Sequence, residues 1–203
     1  MSDDSDLHGS APDNSPVALL LIDVINDLEF ADGDKLARYA LPMAPRLAAF
    51  ATRARQAGIP VLYVNDNFGK WRSDFHRLLA HCLDEDVRGR PLARQLHPAA
   101  EDYFVLKPKH SAFFATTLDT LLKHLGARTV ILTGLATNIC VYFTAADAVL
   151  RDLRLYVPGD CCAANTEEDH RWALDQMQRV LHADISDSTA LDLDALIRQA
   201  AQH

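Results

Sequence analysis

Short apolar runs alternate with helix-like segments along almost the whole chain, and this alternation constrains the fold more than any other feature. The runs are rich in β-branched residues and nearly continuously apolar, which is typical of parallel strands buried on both faces. Strands are predicted at residues 17–22, 59–64, 103–106, 129–133 and 153–157, with a short sixth strand at 184–186. The alternation predicts an α/β fold, a three-layer, doubly wound, Rossmann-like domain with a six-stranded parallel sheet.

Helices between these strands are predicted from apolar residues that recur with a period of 3.6. They are expected to end at Gly58 and Gly126, to begin near Ile139 with Cys140 in the first turn, to begin again at residue 165 or 166, and to cover residues 191–200. Glycine after the last periodic residue is a common helix end because it adopts the left-handed conformation without strain.

Composition excludes several classes of function. The formal net charge is −8 and no basic cluster occurs, so a nucleic-acid partner is not expected. Residues 1–15 are rich in Asp, Ser, Asn and Pro and are predicted to be a disordered tail, which leaves residues 16–203 as a single domain. No signal peptide or membrane-spanning apolar stretch is visible, and the four cysteines lack zinc or secreted-scaffold spacing. A cytoplasmic protein with reduced cysteines and no membrane partner is therefore expected.

Cys140 lies where the sequence pattern changes from strand to helix. Residues 129–133 are predicted to form a buried strand, Gly134 breaks it, and an apolar helical face begins at Ile139. Cys140 would then lie in the first turn of a helix, where free N–H groups and the helix dipole favour thiolate over thiol. This position makes Cys140 a candidate nucleophile. The alternative is a small cysteine that is buried for packing.

Two charged residues are predicted to lie close to Cys140. Asp23 ends the first predicted strand and Lys107 ends the third. The carboxyl ends of parallel strands share one edge of a doubly wound sheet, and ligands bind at that edge. Asp23, Lys107 and Cys140 are therefore expected to meet. Taken singly, Asp23 could be a solvated turn residue and Lys107 a surface charge.

Three segments of the chain resemble the isochorismatase-like cysteine hydrolases, a family that includes nicotinamidases, other small-amide hydrolases and isochorismatases. Residues 134–141 resemble the nucleophile segment of that family, residues 17–27 its first strand, and residues 107–113 the segment with its lysine. The three segments occur in the family's order and spacing. The resemblance extends from about Pro16 to about Ser186, which is nearly the whole chain.

The resemblance implies a role for each of the three residues. Cys140 would attack a carbonyl carbon to give a thioester, Asp23 would transfer the protons, and Lys107 would stay protonated and favour the thiolate. By the same resemblance, the oxyanion hole would consist of the backbone N–H groups of Cys140 and Ala136. The Ala136 N–H would be exposed by a cis peptide bond between Leu135 and Ala136. Family members often form dimers or larger assemblies, so a homo-oligomer is expected.

One part of the family pattern is missing. Nicotinamidases carry an Asp-x-His sequence after the second strand, and further histidines complete a metal site. In this chain Phe68 occupies the place of the first histidine, and His76 and His81 do not restore the spacing. We therefore predict that the protein uses no metal and no other cofactor, and that nicotinamide is a poor substrate.

The substrate is expected to be a small molecule held by residues near the nucleophile. Residues 65–100 have no clear period, and long irregular stretches in α/β domains are usually functional. Amide and aromatic side chains suit a small, flat or carboxylated ligand. The candidates are Asn65, Asn67, Phe68, Trp71, Phe113 and Tyr142. For each of the aromatic residues, core packing is the alternative.

The sequence as a whole predicts a cofactor-free hydrolase that cleaves the C–N bond of a small amide, ureide or imide through Cys140. One alternative is isochorismatase-type hydrolysis of a vinyl ether, for which a cysteine nucleophile is not required. A second is a non-catalytic small-molecule binder or a thiol redox protein. The chain has no C-x-x-C pair around Cys140 and no G-x-G-x-x-G after the first strand, which argues against a disulfide oxidoreductase and a dinucleotide-binding protein.

Overall fold

The centre of the protein is a parallel sheet of six strands. In the computed structural model, which describes residues 13–67 and 74–202, the strands are β1 (Val17–Ile22), β2 (Val61–Asp66), β3 (Tyr103–Lys107), β4 (Thr129–Leu135), β5 (Arg154–Tyr156) and β6 (Cys162–Ala163). Their order is β3-β2-β1-β4-β5, and β6 pairs with the end of β4. Every strand pair is parallel. The predicted α/β fold with a six-stranded parallel sheet is confirmed.

Helices cover both faces of this sheet. They are α1 (Gly33–Gln56), α2 (Phe75–Asp84), α3 (Arg90–Gln95), α4 (Leu118–Leu125), α5 (Tyr142–Val149), α6 (Glu167–Leu181) and α7 (Leu193–Ala201), and a π-helical turn (Thr137–Val141) precedes α5. Alternate residues of β1 enter two separate hydrophobic cores. One core holds α1, α2, α3 and α7, and the other holds α4, α5 and α6. These two cores give the molecule its three layers.

The sixth strand differs from the prediction. Residues 184–186 do not form a strand, because Asp184 makes only an isolated bridge with Tyr156. The sixth strand is instead formed by Cys162 and Ala163, which pair with Gly134 and Leu135 of β4. Two residues are too few to give a recognisable period, which explains why the sequence pattern did not reveal this strand.

Gly134 continues β4, although the sequence suggested that it breaks the strand. Its φ is +106°, and a Cβ atom there would lie 2.1 Å from the carbonyl oxygen of Ile22. Only glycine allows β1 and β4 to approach so closely at this point. The strand therefore extends two residues further, to Leu135, and brings the π-helical turn next to the end of β1.

Two other segments contain more helix than expected. The first helix begins at Gly33 and contains Pro42 and Pro45, and its buried face extends back to Leu36. The stretch 65–100, which was predicted to be irregular, contains α2 and α3. Short helices and helices with internal prolines lack a long uninterrupted period, so their apolar pattern is weak in the sequence.

The first described residues pack against the end of α4. Ser15 is buried, and its N–H donates a hydrogen bond to the Leu125 carbonyl at 2.9 Å. Residues 1–12 of the predicted tail lie outside the described residues. Across the described ranges, no helix combines the length and the apolar content that crossing a membrane requires.

Candidate active site

Asp23, Lys107 and Cys140 meet at the carboxyl edge of the sheet, as their positions in the sequence predicted. Asp23 follows β1, Lys107 is the last residue of β3, and Cys140 lies in the π-helical turn after β4. The Lys107 Nζ atom is 2.8 Å from Asp23 Oδ2 and 3.4 Å from Cys140 Sγ. The three groups are thus in direct contact around one ammonium.

The backbone holds Asp23 in an unusual conformation. Its φ is +53°, which is uncommon for a residue other than glycine and is a recognised mark of functional positions. The Asp23 N–H donates to the Val64 carbonyl at 2.9 Å, and Asp23 Oδ1 accepts a 2.6 Å hydrogen bond from the Asp66 N–H. These two bonds to β2 fix the carboxylate, which is only 5% exposed.

Lys107 is fully buried but its ammonium group is well satisfied. Besides Asp23 and Cys140, Nζ contacts the Lys109 carbonyl at 3.2 Å and Asp66 Oδ2 at 3.8 Å. Burial by itself lowers the pKa of Lys107, but the negative charge of Asp23 and the nearby Cys140 and Asp66 groups raise it, and the net direction is upward. Lys107 is therefore a permanent positive charge in the site.

The surroundings of Cys140 favour the thiol over the thiolate. Burial, followed by the negative charge of Asp23, raises the pKa of Cys140 to about 12, and Lys107 only partly opposes this. Burial also raises the pKa of Asp23, and the positive charge of Lys107 and the neighbouring Cys140 thiol oppose this rise. This direction opposes the expectation that the helix start and Lys107 favour the thiolate, because burial and the Asp23 charge outweigh both. The arrangement instead pairs a thiol with a buried carboxylate base.

Alkylation of Cys140 by iodoacetamide is expected to be slow at pH 7 and to accelerate without a plateau from pH 8 to pH 10. The physical reason is the raised pKa, since only the thiolate reacts. Mass spectrometry of the Cys140 peptide at each pH measures the rate. In Asp23→Asn, which removes the negative charge, the same acceleration should begin at lower pH. A labelling rate in the wild-type protein that is already constant between pH 6 and pH 8 would contradict the prediction.

The predicted oxyanion hole is not present in the expected form. The peptide bond between Leu135 and Ala136 is trans, so the prediction of a cis bond is wrong. Ala136, the residue after β4, has an extended backbone conformation. The change in chain direction comes before it, at the positive φ of Gly134. The Ala136 carbonyl then accepts hydrogen bonds from the Ile139 and Val141 N–H groups at 3.0 and 3.2 Å. The turn is closed by these bonds, and Ala136 is not presented to the site by a cis peptide.

The six predicted substrate residues are placed differently. Asn65 is fully buried and donates a 2.8 Å hydrogen bond to the Ile25 carbonyl, so it supports the loop after β1. Phe113 is 4% exposed within the core of α4, α5 and α6, where Arg151 covers its ring at 4.5 Å. The placement of Phe113 agrees with the core-packing alternative, and a substrate contact by Asn65 stays a prediction. Phe68 and Trp71 lie outside the described residues.

The other two candidates lie near the nucleophile. Asn67 is half-buried, and its N–H donates to the Lys107 carbonyl at 3.1 Å. Tyr142 follows the π-helical turn, and its ring centroid is 6.4 Å from that of Phe143 and 5.7 Å from that of Trp172. Substrate contacts by Asn67 and Tyr142 stay predictions.

The sequence interpretation overlooked His110. Its exposed side chain places Nδ1 3.9 Å from Cys140 Sγ, and its ring lies beside Phe143 with centroids 5.6 Å apart. Its place three residues after Lys107, in the segment that resembles the family, was the available signal.

Within residues 13–67 and 74–202, no three His, Cys, Asp or Glu side chains form a group that could hold a metal ion. Phe68, the residue on which the metal argument depended, lies outside these ranges. The expectation of a metal-free protein stays a prediction.

Comparison with known proteins gives consistent matches. The isochorismatase domain model matches residues 17–189. The isochorismatase family protein YaaI of Bacillus subtilis (strain 168) is 42% identical over 169 residues, which is 83% of this chain and 92% of YaaI. The ureidoacrylate amidohydrolase RutB of Acinetobacter baylyi is 28% identical over 151 residues, covering 64% of this chain but only 62% of RutB. The crystal structure of N-carbamoylsarcosine amidase from Thermoplasma acidophilum has 29% identity and a TM-score of 0.65, and its alignment covers 87% of this chain and 98% of the amidase.

Proposed function

This chain belongs to the isochorismatase family of hydrolases, and we propose that it cleaves the C–N bond of a small amide, ureide or imide through a thioester on Cys140. The observation that carries the proposal is the contact of Cys140 and Asp23 with one buried ammonium. Lys107 Nζ lies 2.8 Å from the carboxylate and 3.4 Å from the sulfur. This arrangement supplies a nucleophile, a base and a fixed positive charge.

The first step is the attack of the Cys140 sulfur on the carbonyl carbon of the substrate. As the S–C bond forms, the thiol proton moves to Asp23, whose carboxylate contacts the same Lys107 ammonium as the sulfur. Burial raises the pKa of Asp23, so this carboxylate is a stronger base than an ordinary aspartate. Lys107 stays protonated and balances the negative charge that moves between the carboxylate and the sulfur.

The second step breaks the C–N bond. Asp23 returns its proton to the departing nitrogen, and the thioester remains on Cys140. A water molecule then attacks the thioester carbon while Asp23 takes one of its protons, and the S–C bond breaks as Asp23 gives that proton to the departing sulfur, which restores both the Cys140 thiol and the carboxylate. One carboxylate therefore serves as base, acid, base and acid in a complete turnover.

Negative charge on the carbonyl oxygen needs hydrogen-bond donors during both steps. The Cys140 N–H lies in the π-helical turn before its first i to i−5 bond, which runs from the Val141 N–H to the Ala136 carbonyl at 3.2 Å. N–H groups at the start of a helix point away from its body and are suited to bind an anion. We assign the oxyanion to this end of the turn, with the Cys140 N–H as donor.

Ureido acids are the substrate class that we favour. The relatives RutB and N-carbamoylsarcosine amidase are named for ureidoacrylate and N-carbamoylsarcosine, and both compounds combine a urea group with a carboxylate. Their carbamoyl C–N bond is the type of bond that the proposed thioester route cleaves. Vinyl-ether hydrolysis would give the Cys140 thiol no role in the reaction, although the thiol contacts the same buried ammonium as Asp23.

Rapid-quench mass spectrometry of the wild-type protein with a panel of ureido acids and small amides tests the proposal. We expect ammonia or amine release together with an acyl adduct on the Cys140 peptide, because a thioester forms before water attacks. Acid quenching preserves the thioester, and hydroxylamine should remove it. Turnover of a panel compound with no adduct at Cys140, even under single-turnover conditions, would contradict the thioester route. Hydrolysis of a vinyl ether but of no C–N bond would favour the alternative reaction.

A further inference from the structure

Buried residues cover one side of the Cys140 sulfur, and the opening of the site lies on its other side. Asp23 and Lys107 are 5% and 0% exposed, so they close the buried side of the sulfur. His110 is exposed and places Nδ1 3.9 Å from the same sulfur. A substrate carbonyl that approaches Cys140 from solvent therefore passes beside the His110 ring.

The structure holds His110 in place from two directions. The carbonyl of the preceding residue, Lys109, accepts a 3.2 Å hydrogen bond from the buried Lys107 Nζ, which fixes the backbone of this turn. The imidazole ring itself lies beside Phe143 on the first turn of α5, with centroids 5.6 Å apart and planes inclined at 42°. A surface histidine that binds nothing would gain little from such positioning. A histidine that binds a ligand gains affinity, because its side chain loses less conformational freedom on binding.

His110 is poorly placed to be the base that activates the thiol. The buried Asp23 shares the Lys107 ammonium with the Cys140 sulfur, and its position is fixed by bonds to β2. Imidazole carries at least one N–H in either neutral tautomer, and a ring N–H is a good donor to a carboxylate. Beside the reacting sulfur, such a donor can contact the part of the substrate next to the scissile carbonyl.

We propose that His110 is a specificity-determining residue that donates a hydrogen bond to the carboxylate of a ureido acid while Cys140 attacks its carbamoyl carbon. This inference rests on the proposed function. Beyond that function, we infer that the protein selects substrates by their carboxylate and that the His110 side chain makes this selection. Phe143 has a positioning role, because it holds the imidazole ring over the opening of the site.

The experiment compares an acidic substrate with a neutral compound of the same shape. N-carbamoylglycine and isobutylurea share the urea group, and a branched alkyl group replaces the carboxylate in the second. The variants are His110→Phe, which keeps a ring against Phe143 but has no N–H, and His110→Gln, which keeps an N–H donor. His97→Phe is the matched control, since His97 is an exposed histidine that precedes β3 at the opposite edge of the sheet.

We expect His110→Phe to lower kcat/KM for N-carbamoylglycine by about 10- to 100-fold, mostly through KM, because a hydrogen bond to a charged group is lost. Activity on isobutylurea should change by less than about twofold. His110→Gln should recover most of the loss, and His97→Phe should behave as the wild-type protein. An equal loss on both substrates would overturn the inference in favour of a role in proton transfer or folding, and no loss on either would overturn it outright.

The outcome also separates this inference from the function on which it rests. If the wild-type protein hydrolyses isobutylurea as well as N-carbamoylglycine, carboxylate recognition is wrong, while the thioester route survives. If a panel of ureido acids of different chain length gives neither turnover nor an adduct on Cys140, the proposed function is wrong and carboxylate recognition by His110 falls with it.

Discussion

Cys140→Ala and Cys140→Ser are each expected to lower kcat on the best C–N substrate by about 10,000-fold or more, as is typical when an enzyme nucleophile is removed. Alanine has no nucleophile at all. Serine keeps a hydroxyl near Asp23, but a carboxylate is a much weaker base than an alkoxide, so the serine variant should be nearly as inactive. Initial rates of ammonia release measured at high enzyme concentration provide the necessary range.

Controls separate loss of chemistry from loss of fold. Cys140 is only half-buried, so both variants should unfold thermally within a few degrees of the wild-type protein. Cys82→Ala is the matched control, because it removes a fully buried thiol on α2 and should retain activity. If Cys140→Ala kept more than about one hundredth of the wild-type rate, water would be attacking the substrate directly and covalent catalysis would be excluded.

The sequence allowed us to predict that Asp23, Lys107 and Cys140 lie together, because the carboxyl ends of parallel strands are all at the same edge of the sheet. Each residue ends or follows a strand that is apolar along its whole length, and the order of the strands then brings the three ends together. Side-chain contact follows from backbone topology in this case. For that reason the fold and the position of the site could be predicted together.

The protonation state could not be predicted in the same way. Position at the start of a helix favours a thiolate. The pKa of the Cys140 thiol is nevertheless raised, because the sulfur is buried and the negative charge of Asp23 lies close to it. Both quantities are set by tertiary packing. His110 was missed for a similar reason, because its approach to the sulfur is set by the tertiary placement of the turn after β3. A sequence pattern records none of these distances.

Replacing Lys107 with methionine is expected to lower the free energy of unfolding by about 3–5 kcal/mol at pH 8, a value typical of breaking a buried ion pair. The variant would leave the Asp23 carboxylate buried, 5% exposed, and without its 2.8 Å partner. Urea denaturation measures the loss. Lys123→Met is the matched control, since Lys123 forms an ion pair with Asp119 on the surface and is 76% exposed, so its replacement should change stability little.

The loss in Lys107→Met should depend on pH in a defined direction. Burial raises the pKa of Asp23 and Lys107 opposes that rise, so removing Lys107 should raise the carboxyl pKa further. A carboxyl group whose folded pKa exceeds its unfolded pKa contributes stability below the unfolded value, and this stability is lost as the pH rises through the folded value. The variant should therefore be closest to the wild-type protein near pH 5 and furthest from it near pH 8. A deficit that stayed constant over this range would mean that lost packing, and not the unpaired carboxylate, causes it.

Adding Asp23→Asn to Lys107→Met should restore much of the lost stability, because no unpaired charge then remains in the core. Activity should stay undetectable in the double variant, since the base and the positive charge are both absent. Recovery of stability without recovery of activity would establish that the buried pair is kept for chemistry, as a neutral pair of similar size folds as well. If the double variant were as unstable as Lys107→Met alone, the pair would instead be needed to hold β1 and β3 in register with β2, which lies between them.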